Sequence, residues 1–229
     1  MIELNNVSVN LQKTQILKNI NITINTHEVI GIVGESGSGK TTLAHLLLGL
    51  IRPKSGELKT HGVQRLPIFQ HANDSFNPKY NMKTSLHEPI KYYKNADAEK
   101  VKERLKWLMF KMQLDDSLLT RFPEELSGGQ LQRFNMIRTL MVEPDILICD
   151  EITTNVDVLA EQRIITILKE YHERTNNGMV IISHDLAFLN QIVDRMIVMA
   201  DGEIKDDFEI EALFASQRHP ETKKLLSVY

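Results

Sequence analysis

Residues Gly34-Glu35-Ser36-Gly37-Ser38-Gly39-Lys40-Thr41 satisfy the spacing G-x-x-x-x-G-K-[ST], and Thr42 follows at once. Glycines in such a loop let main-chain N–H groups close on phosphate oxygens. Lys40 would balance charge near the β and γ phosphates, and the Thr41 hydroxyl is placed to ligate Mg²⁺. A chance match in a chain of this length is on the order of one per cent. Three further positions carry chemistry that such a cradle can use. Asp150 and Glu151 end an apolar run, where Asp150 could hold Mg²⁺ through its water shell and Glu151 could act as general base on water. Gln70 ends a short apolar run and could reach Mg²⁺ or that water. His184, in Ile-Ile-Ser-His-Asp, follows another apolar run and could meet a γ-phosphate.

A second candidate cradle lies at Leu126-Ser127-Gly128-Gly129-Gln130. Ser127, Gly128 and Gly129 offer a hydroxyl and unhindered N–H groups where a helix spanning 130–141 is expected to start, and a helix start attracts anions. One nucleotide does not require two cradles in one molecule. The spare one must therefore serve a nucleotide held elsewhere.

The elements that would position these residues follow from apolar spacing. Ile2, Leu4, Val7 and Val9, then Ile16 and Leu17, then Ile20, Ile22 and Ile24, predict antiparallel edge strands. Residues 29–33 predict a strand entering the glycine-rich loop, with a helix over 43–51 beyond it closed by Pro53. Lys54-Ser55-Gly56 reads as a turn, and Leu66 to Phe69 as a short strand. From about His71 to Phe122 polar loop and amphipathic helix predominate, with Val101, Leu105, Leu108 and Met112 on one face; Trp107, Phe110 and the local methionines are expected in the core. After residue 141, strands over 145–150, 179–183 and 196–199 alternate with helices over 158–171 and 186–193. Continuous apolar strands demand a parallel sheet covered on both faces, so the fold class is α/β. Asp201-Gly202 marks a hairpin.

Composition limits the remaining choices. The chain has 229 residues, 27 basic and 30 acidic, a formal charge of −3 and one cysteine, Cys149. Such a balance supplies no field for nucleic acid, and no apolar run approaches the roughly 18 residues of a membrane span. The start of the chain lacks a signal-peptide layout. If the protein works at a membrane, other subunits are expected to hold it there.

In this order the glycine-rich loop, Gln70, Leu-Ser-Gly-Gly-Gln, Asp150-Glu151 and His184 resemble the nucleotide-binding subunit of ATP-binding cassette (ABC) transporters across nearly the whole chain. The resemblance implies a P-loop NTPase core, built from residues 1–75 and 136–229 with an antiparallel β subdomain, and an inserted helical subdomain over 76–135. It implies ATP and Mg²⁺ as ligands, with phosphates on residues 34–42 and Mg²⁺ held by Thr41, Gln70 and Asp150. Gln70 would be a coupling switch, Glu151 the base and His184 a γ-phosphate contact. Two such subunits would pair head to tail, so that Ser127, Gly128, Gly129 and Gln130 of one close over ATP held by the other. Thr154-Asn155-Val156-Asp157 occupies the D-loop position, usually Ser-Ala-Leu-Asp, and only Asp157 carries over. Adenine, normally stacked on an early aromatic, would meet Leu11, losing roughly 0.5–1.5 kcal/mol of stacking.

Within the family, Ser75-Phe76-Asn77-Pro78 and His219-Pro220-Glu221-Thr222 resemble the peptide and nickel importer branch, whose usual wording is Ser-Leu-Asn-Pro and His-Pro-Tyr-Thr. Phe76 to Pro78 would lie near the surface that receives a permease helix. The chain stops soon after His-Pro-Glu-Thr, which favours nickel, cobalt or metal-chelate import over oligopeptide or dipeptide import. Partners implied are a second, different ATPase chain, two permease subunits and a solute-binding protein, with this chain peripheral at the cytoplasmic face. Scattered histidines argue against a nickel site in the chain itself. A soluble non-transport cassette and an exporter subunit are the remaining readings.

Overall fold

Strand sequences alone separate the two sheets of the computed structural model, which describes residues 1–70, 72–92, 98–154 and 156–227. The alternating N-terminal strands β1 (Ile2–Leu11) and β2 (Thr14–Ile24) pair antiparallel. With β4 (Ser55–Lys59) they form a three-stranded sheet in the order β2-β1-β4. The continuously apolar segments β3 (Val29–Val33), β6 (Ile146–Asp150), β7 (Gly178–Ile182) and β8 (Arg195–Ala200) occupy the middle of a second sheet. With β5 (Arg65–Ile68) and β9 (Glu203–Glu209) its order is β5-β6-β7-β3-β8-β9. Every pair is parallel except β8 with β9.

Both faces of the larger sheet are covered, which is why its strands lack polar alternation. On one face Ile30, Ile32, Ile148, Val180, Ile182 and Ile197 pack with β1, β2 and α1 (Lys40–Leu47). Helix α1 is thus clamped between the two sheets, with Leu43, Ala44, Leu46 and Leu47 fully buried. On the other face Val29, Leu147, Met179, Ile181 and Met196 join the helices α4 (Gly128–Leu140), α5 (Val158–Thr175) and α6 (Leu186–Asn190). Each such side chain contributes roughly 1.5–3 kcal/mol by leaving water. Helices α2 (Met82–Tyr92) and α3 (Ala98–Lys111) extend this second core through Met82, Leu86, Val101, Leu108 and Met112.

Several local expectations are corrected. The N-terminal strands are not edges of the main sheet but build a sheet of their own, because their alternation leaves one face polar. Ser55 and Gly56 start β4 rather than a turn, pairing with β1. Helix α1 begins at Lys40, directly on the glycine-rich loop, and ends at Leu47 rather than near Ile51. Helix α6 stops at Asn190, and a short helix α7 (Pro220–Leu226) was not foreseen. Phe110 is 80% exposed, not in the core. It projects about 200° around α3 from Leu108, away from the apolar stripe.

Candidate nucleotide site

The chemistry-bearing residues gather where α/β ligands collect, beyond the carboxyl ends of β3, β6 and β7. The loop after β3 carries the glycines. Gly37 has φ +82° and Gly39 φ +103°, conformations that suit glycine. A Cβ on Gly34 would stand 2.1 Å from the Met199 carbonyl oxygen. Gly34→Ala is therefore expected to displace the loop, lower the melting temperature and abolish ATP binding. Gly37→Ala meets nothing within 4 Å, so it should cost only the roughly 1–2 kcal/mol of a left-handed backbone. Parallel melting and nucleotide-binding measurements on the two variants check both statements.

Lys40 opens α1 and is only 7% exposed. Its ammonium donates to the Gly34 carbonyl at 2.8 Å and the Glu35 carbonyl at 2.9 Å, which holds it across the loop. Burial pulls its pKa down, and Glu151 and Asp150 pull it back up. Glu35 is exposed and pairs with Lys224 of α7 at 2.6 Å; a pair so wet contributes little. Leu11, 44% exposed at the end of β1, leaves an aliphatic surface where the resemblance expects an aromatic one.

Asp150 ends β6 with 7% exposure, and burial raises its pKa against the lowering effect of the Thr41 hydroxyl. Among the described residues its Oδ1 has no hydrogen-bond partner, nor does the buried Ser38 hydroxyl. A buried carboxylate oxygen and hydroxyl without partners are costly, and both would fit a site that takes a hydrated divalent cation and phosphate oxygens. The donor set is hard oxygen, as Mg²⁺ requires. The raised value means that the folded state favours the protonated form. This penalty is absent below the unfolded value, about 3.9, and grows as pH rises through the folded one. Asp150→Asn should accordingly raise the melting temperature of the nucleotide-free protein near pH 7, with the gain vanishing toward about pH 4. The same variant should lose Mg²⁺-dependent hydrolysis.

Glu151 follows in a left-handed backbone, φ +49°, unusual for a glutamate. Its N–H donates to the Ile182 carbonyl at 3.0 Å, tying the bend to β7. Its Oε2 accepts from Gln70 Nε2 and from Thr154 Oγ1, each at 3.4 Å. Gln70 and Glu151, 81 positions apart, are thus neighbours. His184 is exposed just beyond β7, at the same end of the sheet, while Asp185 caps α6 through the Phe188 N–H at 3.0 Å. Cys149, fully buried beside Asp150, has its thiol pKa pushed far up by burial. It is inert packing.

The segment carrying Gln70 is gripped by α4. Asn135 donates to the Phe69 carbonyl at 3.3 Å and Thr139 to the Pro67 carbonyl at 2.9 Å. Arg138 donates to the Ser75 carbonyl and lies 5.5 Å from the centre of the Phe76 ring. Sequence reasoning missed these three residues, and no motif flags them. At the other end of α4, Ser127 accepts from the Gln130 N–H at 3.2 Å and donates its own N–H to Gln130 Oε1 at 3.0 Å. This reciprocal capping box was readable in the S-x-x-Q spacing. It starts the helix two residues earlier than expected and leaves Gly128 and Gly129 as its first turn. Asp157 caps α5 through the Ala160 N–H at 2.8 Å; Asn155 before it and His71 lie outside the described residues.

A parallel sheet with these groups at its carboxyl ends is the architecture of a phosphate-binding ATPase, and the ABC transporter family model matches residues 17–154. The chain belongs to the ABC transporter family. It is 48% identical over 231 residues to the nickel import system ATP-binding protein NikE of Staphylococcus aureus strains MSSA476 and USA300, covering 100% of this chain and 99% of each relative. Among solved structures, a dimeric ATP-binding cassette in a post-hydrolysis state with ADP and Pi superposes with a TM-score of 0.80 at 25% identity, over 92% of this chain and 99% of that one. An ATP-binding subunit of an ABC transporter superposes with a TM-score of 0.87 over 99% of this chain and 98% of that one; at 19% identity it speaks for the fold alone. The protein is an ABC ATPase, and ATP is its nucleotide.

Proposed function

We propose that this chain is the ATP-hydrolysing subunit of an importer for nickel, cobalt or a metal chelate, with Mg²⁺ as its cofactor. One observation carries the hydrolytic part: Lys40, Thr41, Gln70, Asp150 and Glu151 converge at one end of the sheet. Full-length similarity to nickel import subunits supports the cargo. Oligopeptide or dipeptide import is the alternative within the same branch.

Mg²⁺ would supply charge neutralisation between the phosphates, held through Thr41, Gln70 and Asp150. The chain's own groups do the rest. The N–H groups and side chains of residues 34–42 cradle the phosphates, Lys40 turns its ammonium from the loop carbonyls to phosphate oxygens, and His184 reaches the γ-phosphate. Glu151, aimed by its bent backbone and by Gln70 and Thr154, accepts a proton from water at a carboxylate oxygen. Leu11 contacts adenine weakly. Ser127, Gly128, Gly129 and Gln130, with Asp157, serve the nucleotide of a second, different ATPase chain.

Residues 76–135 are proposed as the helical subdomain and 1–75 with 136–229 as the core, with α4 running across the second boundary. Among the described residues no helix is long and apolar enough to cross a membrane. The proposal therefore places the chain peripherally at the cytoplasmic face, held by two permease subunits that are served outside by a solute-binding protein. A groove of about 1070 Å³, lined by Thr41, Gln70, Asp150, Pro89, Tyr92 and Arg138 among others, suits a permease helix. Phe76 is buried beneath Arg138, while Asn77 and Pro78 are exposed beside it. The test is ATPase stimulation of the reconstituted complex by its binding protein loaded with Ni²⁺, a nickel chelate or a dipeptide. Stimulation by dipeptide alone would move the assignment to the alternative cargo, and stimulation by none would sink the importer reading.

A further inference from the structure

A smaller cavity of about 240 Å³ lies between α4 and α5, on a different face of α4 from the large groove. Its floor is apolar: Met112, Met136, Ile164 and Ile167 line it and are all buried. Its rim carries two guanidinium groups, Arg133 and Arg163. Arg133 is satisfied, donating to the Gly129 carbonyl at 3.0 Å and the Met112 carbonyl at 2.9 Å. Arg163 is half-buried and its guanidinium makes no ion pair or hydrogen bond among the described residues. Asp157 also lines the cavity, but its carboxylate is engaged with the α5 N-terminus at 2.8 Å. The two guanidinium groups are close enough that Arg163 adds to burial in lowering the Arg133 pKa.

Two guanidinium groups outnumber the one carboxylate, Asp157, around this apolar pocket, and that excess of positive charge defines the complementary ligand. A cation is excluded by charge. A wholly apolar molecule would leave Arg163 further desolvated and unpaired, which is unfavourable. An inorganic anion would leave the apolar floor unfilled. The cavity is somewhat smaller than the roughly 300 Å³ at which pockets for drug-sized ligands begin. We propose that this cavity binds a small aliphatic carboxylate, its head between Arg133 and Arg163 and its chain on Met112, Met136, Ile164 and Ile167. Gly129 and Asp157 both border the cavity, so a bound ligand braces the start of α4 against the start of α5. These are the two segments assigned above to the partner's nucleotide. The binding itself does not depend on the cargo assignment.

The two methionines that line the cavity report on it directly. The full chain, labelled with ¹³C at the methionine methyl groups, is titrated with hexanoate, hexanol and sulfate while ATP binding is followed separately. Hexanoate should shift the Met112 and Met136 methyl signals saturably at about 1 mM, as suits a ligand of its size. Met82 and Met196 should stay still. Hexanol and sulfate should bind at least about tenfold more weakly. Arg163→Gln should weaken hexanoate by about tenfold or more with melting temperature and ATP binding unchanged. Ile164→Phe, which fills the floor and keeps both guanidinium groups, should also abolish it. Equal responses to hexanol or to sulfate would overturn the proposal, as would unmoved Met112 and Met136 signals at about 10 mM hexanoate.

Discussion

Glu151→Gln lowers ATP turnover of the assembled complex by about 10²–10⁴-fold, the range for losing a general base, and leaves ATP bound. The expectation rests on how the glutamate is held. Its left-handed backbone and the 3.0 Å bond from its N–H to Ile182 belong to the main chain and survive the substitution. Glutamine fills the same volume beside Gln70 and Thr154. What disappears is the carboxylate's capacity to take a proton, together with one of the two charges that offset the burial of Lys40. Single-turnover hydrolysis and nucleotide retention separate the two effects. Turnover within a few-fold of the parent would transfer the base to another group, with His184 the first candidate.

Gly128→Asp should cost at least about 10²-fold in turnover while the chain folds normally. A Cβ at Gly128 meets nothing within 4 Å, so the side chain enters open space. Aspartate in the first helical turn even favours the helix, by roughly 0.3–1 kcal/mol. Stability is therefore expected to hold or rise. The same carboxylate would stand where Ser127 and Gly129 are proposed to receive a partner's phosphates, and loss of one positioned donor alone costs about 10²–10³-fold. Nucleotide binding at this chain's own Lys40 should be untouched. Normal turnover by Gly128→Asp in the assembled complex would remove the second cradle from the mechanism.

The nucleotide loop was legible because its constraints are local. Gly37 and Gly39 turn through positive φ, and Lys40 and Thr41 follow at fixed spacing on the first turn of α1. The main-sheet strands were equally legible, since burial on both faces leaves an uninterrupted apolar run. What the residues did not announce depends on distant partners. Ser55 and Gly56 look like a turn until β1 offers them a ladder. Phe110 looks like core until the α3 stripe is seen to point elsewhere. That Gln70 and Glu151 serve one site could be expected from the family resemblance. The grip of Asn135, Arg138 and Thr139 on the preceding and following carbonyls could not, because a side chain bonding to main chain leaves no complementary residue to read.

That grip makes α4 a lever. From Gly128 to Arg138 the helix spans about 15 Å at 1.5 Å per residue. Its near end carries Ser127, proposed above to meet a partner's nucleotide, and its far end is bonded to Pro67, Phe69 and Ser75 on both sides of Gln70. A rod fastened in this way cannot tilt at one end alone. A push of 1 or 2 Å at the capped start, about the size of ordinary helix shifts at subunit interfaces, bears on the strand end that holds Gln70 against Glu151. In the proposed pair the two nucleotides would then share one mechanical state, and an empty partner would leave Glu151, the proposed base, out of register.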